Sequence, residues 1–221
     1  MDPSNCGIIY DLDGTVLDTN QLNEDAWVHA LKPYCITPTR EQFLFQRGRP
    51  GEVCSRHMLP DHLQQYANEV LRQQLRYVEE RYDLVTVFPG FWEAYTPLHE
   101  KEKKIFICTS APRERISLLL QHQPPFRQLQ DHFVCRGMYA HGKPSPEPLL
   151  VTSERMGLKP SQLIYVGDAE SDYRAAVAAG MNFIYFCPAK EQQDPAISLS
   201  VSTINQHEDI LSLLGENSLQ K

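Results

Sequence analysis

Long apolar runs are missing from this sequence: none approaches the roughly 20 residues needed to cross a bilayer. A basic excess is missing too. With 21 Lys and Arg against 28 Asp and Glu, the net charge is -7, which argues against broad binding to nucleic acid or an anionic membrane. The six cysteines form no C-x-x-C pair, and the eight histidines show no H-E-x-x-H spacing, so a zinc site is not expected. Residues 1–5 carry no basic stretch leading into an apolar one, so no signal peptide is expected and the cytoplasm is the expected compartment. Internal repeats and low-complexity tracts are likewise absent. At 221 residues and 42% hydrophobic content, the chain can still bury a substantial core.

What is present first is a short strand, residues 6–10, that stops at two alternating carboxylates, Asp11 and Asp13. Two carboxylates about 4 Å apart repel by roughly 4 kcal/mol at an effective dielectric of 20. A cation must therefore sit beside them, and Mg2+ suits oxygen ligands where phosphate also binds. Gly14 allows a tight turn, and Thr15 adds a hydroxyl at its mouth. Asp and Gly are also ordinary turn residues, so the motif alone does not decide.

The remaining chain divides by pattern. Apolar spacings of three and four predict helices over 18–33, around Phe43 and Leu44, and over 63–82, with Thr19 available as a cap for the first. From Val85 onward, short β-branched or aromatic runs at 105–108, 132–135, 163–166 and 182–186 alternate with helical stretches at 91–100, 112–122, 147–156 and 171–179. A last helix is expected at 206–214, with a frayed polar tail after it. This predicts an α/β fold: a Rossmann-like parallel sheet core, residues 1–16 and 85–221, with an inserted all-helical cap, residues 17–84. Cys6, Cys108, Cys135 and Cys187 fall in or beside strand-like runs, where thiols act as small buried hydrophobes.

In an open parallel sheet, ligands bind at the C-terminal strand ends. Those ends carry Asp11 and Asp13, then Thr109 and Ser110, then Asp168, and Lys143 lies in a Gly-Lys-Pro-Ser-Pro loop that can reach the same rim. This is what phosphoryl transfer needs. One carboxylate can attack phosphorus, a second can move the proton, and a metal with a lysine offsets charge. Helix N-capping by Asp168 and a helix-dipole role for Asp172 are the structural alternatives.

With Asp11-Leu-Asp-Gly-Thr15, Thr109, Lys143-Pro144 and Gly167-Asp168 followed by Asp172, the chain resembles the haloacid dehalogenase-like hydrolases over nearly its whole length. It is most similar to their phosphoglycolate phosphatase and β-phosphoglucomutase-like branch with a helical cap. The resemblance implies Asp11 as nucleophile and Asp13 as acid/base. It implies Mg2+ held by Asp11, the Asp13 backbone carbonyl and Asp168, with Asp172 in support, and Thr109 and Lys143 on the phosphate. The chain departs from many relatives at Ala169, where they carry a small hydroxyl residue.

The resulting expectation is a Mg2+-dependent phosphatase acting on a small phosphorylated metabolite through an aspartyl-phosphate. A sugar phosphomutase of the same family and a non-catalytic relative are the alternatives. A phosphonate hydrolase would want a cap lysine, and Lys32 alone lies between Thr15 and Phe88. In the cap, Arg47 and Arg49 of the Gln46-to-Gly51 turn are candidates for a second anionic group, through the planar guanidinium fork. Ser110 is a further candidate for the substrate, whereas His57, Trp27 and Phe43 are expected to be structural.

Overall fold

The computed structural model describes residues 6–215 apart from 190, 192 and 199, so residues 1–5 and the polar tail after Gly215 lie outside the described residues. The chain opens with β1 (Gly7–Tyr10), β2 (Leu17–Asp18), α1 (Asn20–Leu31), α2 (Arg40–Gln46), α3 (Gly51–Met58), α4 (Ala67–Glu79) and β3 (Thr86–Val87). It continues with α5 (Phe91–Glu100), β4 (Ile105–Pro112), α6 (Arg113–His122), β5 (Phe133–Arg136), α7 (Glu147–Met156), β6 (Leu163–Gly167), α8 (Glu170–Ala179), β7 (Asn182–Phe186), β8 (Ser202–Ile204) and α9 (Asp209–Leu213).

Six strands form one sheet in the order β5-β4-β1-β6-β7-β8, every neighbouring pair parallel. Side chains alternate across a strand, and the core follows that rule. Ile8 and Tyr10 of β1 face the apolar layer built with Phe91, Leu98, Ile116 and Leu119. Ile9 faces the opposite layer with Leu149, Met156, Ala175 and Ala176. Both faces are covered by helices, which is why the strands read as continuous apolar runs.

Residues 20–84 carry their own apolar cluster, centred on Trp27, Leu31, Met58, Val70 and Leu71, with Phe43 packed against it. Along α4 the buried stripe includes Val70, Leu71, Gln74 and Val78. The expected helix over 63–82 is shorter than its pattern, because residues Asp61–Tyr66 tighten into a 3₁₀ turn before α4. Two short elements carried no readable signal. β2 and β3 pair antiparallel, Leu17 with Val87 and Asp18 with Thr86, tying the two ends of the helical region together. β8 has only three residues and begins with Ser202 and Thr203, so no apolar run marks it. Thr19 precedes α1 without capping it. Its hydroxyl donates instead to Asp13 Oδ1 at 2.9 Å, a charged acceptor. His57 stacks on Phe45, with ring centroids 3.7 Å apart.

One buried histidine links the last segment to the first turn. His207 stacks on Phe186, and its Nε2–H donates to the Thr15 carbonyl at 2.9 Å. Burial pushes its pKa from 6.5 down to about 4. The unfolded chain therefore takes up a proton near pH 6.5 that the folded chain refuses until about pH 4. Stability from this group is full above pH 6.5 and falls as pH drops toward 4, by roughly 3 kcal/mol at about 1.4 kcal/mol per unit. Urea titrations at pH 7 and pH 4 should show the wild type losing that much more than His207→Gln. Equal losses would show that His207 does not drive acid sensitivity.

Candidate active site

The strand order reverses at β1, which lies between β4 and β6. The turn after β1 thus opens into the crevice where α/β sheets bind ligands. Gly14 makes that turn with φ +84°, a left-handed conformation suited to glycine. A Cβ there would also lie 2.3 Å from Asp168 Oδ2. The turn and the Asp168 carboxylate therefore share space that no side chain can enter.

Lys143 stands at the centre, 1% exposed. Its ammonium donates to Asp11 Oδ1 at 2.6 Å, Asp172 Oδ1 at 2.7 Å and the Tyr165 hydroxyl at 2.8 Å, which uses all three of its protons. The Lys143–Pro144 peptide is cis. Burial disfavours the ammonium, but Asp11 and Asp172 outweigh that cost and hold its pKa well above the ordinary lysine value. Asp172 also accepts from the Tyr165 hydroxyl at 2.8 Å and from the Ala169 N–H at 3.2 Å. Asp172 thus serves the first turn of α8 as well as the site, at the place where Ala169 offers no hydroxyl.

Asp168 does not cap α8, whose N-cap is Ala169. It accepts from the Thr15 hydroxyl at 3.2 Å and the Asn20 amide at 3.1 Å. Ligand atoms of Asp11, Asp168 and Asp172 lie within 4.8 Å of one another, and all three residues are buried. Burial, opposed by Lys143 and reinforced by Asp172 and Asp168, pushes the Asp11 pKa well above the usual carboxylate range. Burial likewise lifts Asp168 to about 7, against the pull of Arg47. Asp11 Oδ2 is buried without a hydrogen-bond partner, a costly arrangement unless something positive completes it. An all-oxygen set with excess negative charge and an orphaned carboxylate oxygen fits a hard divalent cation such as Mg2+.

The Asp13 carboxylate lies outside that triad. Its Oδ1 accepts from Thr19, and its Oδ2 is 3.7 Å from the Arg115 guanidinium. A narrow cavity of about 70 Å³ runs over Asp11 and Asp13 and is lined by residues of both the sheet core and the helical region. Thr109 and Ser110 line it from within β4, which runs on to Pro112 beyond the run expected at 105–108. Thr109 is buried, and its hydroxyl accepts from the Ala111 N–H at 3.0 Å. Ser110 donates to the Gly48 carbonyl at 2.7 Å, joining the core to the turn after α2. In that turn Gly48 has φ +68°, and a Cβ on it would meet Ser171 Oγ at 2.4 Å.

Arg47 and Arg49 reach the cavity with their guanidinium groups already engaged. Arg47 pairs with Glu191 at 2.8 Å and lies 3.8 Å from both Asp168 and Glu24. Arg49 pairs with Glu170 at 2.5 Å and donates to the Phe45 carbonyl at 2.7 Å. Sequence spacing indicated their turn but not these carboxylates, which arrive from distant positions. No sequence signal marks Asn20, Tyr165 or Arg115. Asn20 and Tyr165 resemble ordinary helix and strand residues, and Arg115 sits in a common Arg-Glu-Arg helix start.

A family model described as haloacid dehalogenase-like hydrolase matches residues 8–186. The phosphoglycolate phosphatase of Xanthomonas campestris pv. campestris (strain 8004) is 32% identical over 183 residues, covering 79% of this chain and 79% of that one. The fructose-1-phosphate phosphatase YqaB of Escherichia coli (strain K12) is 28% identical over 186 residues, 80% of this chain and 94% of that one. A hydrolase structure from Pseudomonas syringae superposes with a TM-score of 0.78 at 22% identity, covering 97% of this chain and 100% of that one. Likeness at that identity speaks for the fold alone.

Proposed function

The chain belongs to the haloacid dehalogenase-like hydrolases, and we propose that it is a phosphoric monoester hydrolase that releases inorganic phosphate from a small phosphorylated metabolite. The observation that carries this reading is the buried Asp11 carboxylate, held by Lys143 at 2.6 Å through one oxygen while its other oxygen has no hydrogen-bond partner. Phosphatase relatives with high mutual coverage support the reaction class. Net charge of -7 and the small cavity support a small-molecule substrate over nucleic acid. Among the described residues no helix is long and apolar enough to cross a membrane. All six cysteines are thiols rather than half-cystines, which supports a cytoplasmic setting.

In this mechanism an Asp11 carboxylate oxygen attacks phosphorus, and the bond from phosphorus to the ester oxygen breaks. Asp13, held by Thr19 and facing the cavity, gives its proton to the departing oxygen. Water then attacks phosphorus of the aspartyl-phosphate, Asp13 takes the water proton, and Asp11 is regenerated. Lys143 stays charged throughout and stabilises the oxygens of the transferring group, together with Thr109, which lines the cavity over Asp11. Asp11, Asp168 and the Asp13 backbone carbonyl would hold Mg2+, with Asp172 in support. When bound, the ion neutralises charge on the phosphoryl oxygens and the carboxylates.

The test is phosphate release from a panel of sugar phosphates, nucleotides, phosphoglycolate and p-nitrophenyl phosphate, with Mg2+ and with EDTA. Release should need the metal, fall to background in EDTA and return when Mg2+ is restored. A folded protein that releases no phosphate from any member with Mg2+ present would sink the reading. Release unaffected by EDTA would remove the metal from it.

A further inference from the structure

Two of the three clustered carboxylates take their counter-charge from the sheet core, where Lys143 pairs with Asp11 at 2.6 Å and Asp172 at 2.7 Å. The third, Asp168, is balanced differently. Its oxygens accept from two neutral donors, Thr15 and Asn20. The cation beside it is Arg47, whose Nη1 lies 3.8 Å from Asp168 Oδ2. That separation is an ion pair without a hydrogen bond. Arg47 is 8% exposed, so its charge is desolvated, yet it forms a fork with no single carboxylate. Nη1 bonds Glu191 at 2.8 Å, Nη2 is 3.8 Å from Glu24, and Nε is buried without a partner. A guanidinium gains most from paired N–H bonds to one carboxylate. Spread over three acids, Arg47 acts mainly as a charge.

The two cations also differ in where the chain carries them. Lys143 comes from a loop of the sheet core, Arg47 from the turn after α2 in the helical region. That turn is seated on the core by two hydroxyls: Ser171 donates to the Arg47 carbonyl at 2.9 Å and Ser110 to the Gly48 carbonyl at 2.7 Å. Gly48, at φ +68°, lies so close to α8 that a Cβ would meet Ser171 Oγ at 2.4 Å. The charge beside Asp168 is therefore present only while this turn is down. A divalent ion held by Asp11 and Asp168 needs the negative charge that Arg47 already faces. We propose that Arg47 is a resident counter-cation of Asp168 that competes with the divalent ion, so that metal affinity is held down while the turn after α2 is seated and rises when it lifts. The inference rests on the metal-dependent reading above. By linkage, an ion bound at Asp168 weakens the seating of the turn by the same factor.

The test measures metal binding alone, with no substrate and no turnover. Mn2+, which takes the same oxygen ligands as Mg2+, is titrated into the intact chain while the paramagnetic resonance signal of the free ion is followed. Mg2+ affinity is then read by competition. Arg47→Gln should bind both ions tighter by roughly fivefold to hundredfold. Arg47→Lys, which keeps the charge, should stay closer to the wild type than to Arg47→Gln. Gly48→Ala keeps Arg47 but hinders seating of the turn, and it should shift affinity in the same direction as Arg47→Gln. Arg40 lines a cleft with Arg47, but its side chain is 59% exposed, so Arg40→Gln should change affinity by less than about twofold. Equal affinity in the wild type and Arg47→Gln would overturn the proposal, as would an equal gain from Arg40→Gln, which would make the effect one of net charge. Unchanged affinity in Gly48→Ala would overturn the link to the turn. Weaker binding of inorganic phosphate by Arg47→Gln with metal affinity unchanged would make Arg47 an anion-binding residue instead. Asp168→Asn should abolish binding of both ions. If neither the wild type nor Arg47→Gln binds either ion, the metal-dependent reading itself fails, whereas equal binding by the two removes only the role of Arg47.

Discussion

Asp11→Asn should remove turnover while leaving the fold intact, with kcat lower by roughly 10⁴-fold or more, as for other covalent nucleophiles. The substitution keeps side-chain volume but replaces a carboxylate by an amide that cannot form the acyl phosphate. Its effect on stability should be small, because two changes oppose each other. Lys143 loses a charged acceptor at 2.6 Å but keeps Asp172 and the Tyr165 hydroxyl. The repulsion that Asp172 and Asp168 exert on the Asp11 charge disappears. Thermal melts with EDTA present should therefore lie close to those of the wild type, beside a flat phosphate-release trace. Retained turnover in a homogeneous Asp11→Asn sample would remove Asp11 from the nucleophile's role and leave its carboxylate only a charge in the site.

Lys143→Met should be the opposite kind of variant, damaging to stability as well as activity. Methionine roughly fills the space but leaves Asp11 and Asp172 buried without the ammonium that bridges them. Removing one partner of a buried ion pair typically costs about 3–5 kcal/mol. The Tyr165 hydroxyl remains on Asp172 at 2.8 Å, so the loss falls mainly on Asp11. Urea unfolding in EDTA, where no bound cation can substitute, should show that loss. Turnover should fall by at least roughly 10³-fold, because the charge that stabilises the transferring group is gone. A variant as stable as the wild type would mean that the carboxylates are neutral or otherwise balanced without Lys143.

These two variants separate chemistry from architecture. Asp11 sits where the strand order reverses, buried among charges that act on its carboxylate. Lys143 arrives on a loop more than a hundred residues later and makes that concentration of negative charge tolerable. The Asn20 amide and the Thr15 hydroxyl do the same for Asp168 at closer quarters. Arg47 adds a cation 3.8 Å from Asp168 while bonded to Glu191, so the helical region contributes to the charge balance of the sheet core.

The sequence by itself determined the parallel α/β sheet and the presence of helices between its first strand and β3. Continuous apolar strands and three-and-four helical spacing are local signals that survive without coordinates. It also pointed to Asp11, Asp13, Thr109, Ser110 and Asp168, because the C-terminal ends of parallel strands must meet at one rim, while Lys143 followed from its loop and Asp172 from the family resemblance. It could not specify what happens to Arg47, Arg49 and Arg115, three arginines alike in composition and exposed-looking in pattern. Only the tertiary structure decided that Glu191 and Glu170 engage the first two, while Arg115 stands beside Asp13 with no hydrogen bond to a carboxylate. The same holds for His207, whose burial against Phe186 and Thr15 is invisible in a polar C-terminal segment. The physical reason is common to all four. Backbone periodicity is set by neighbours along the chain, whereas the partner and solvent exposure of a charged side chain are set by residues brought beside it from far away.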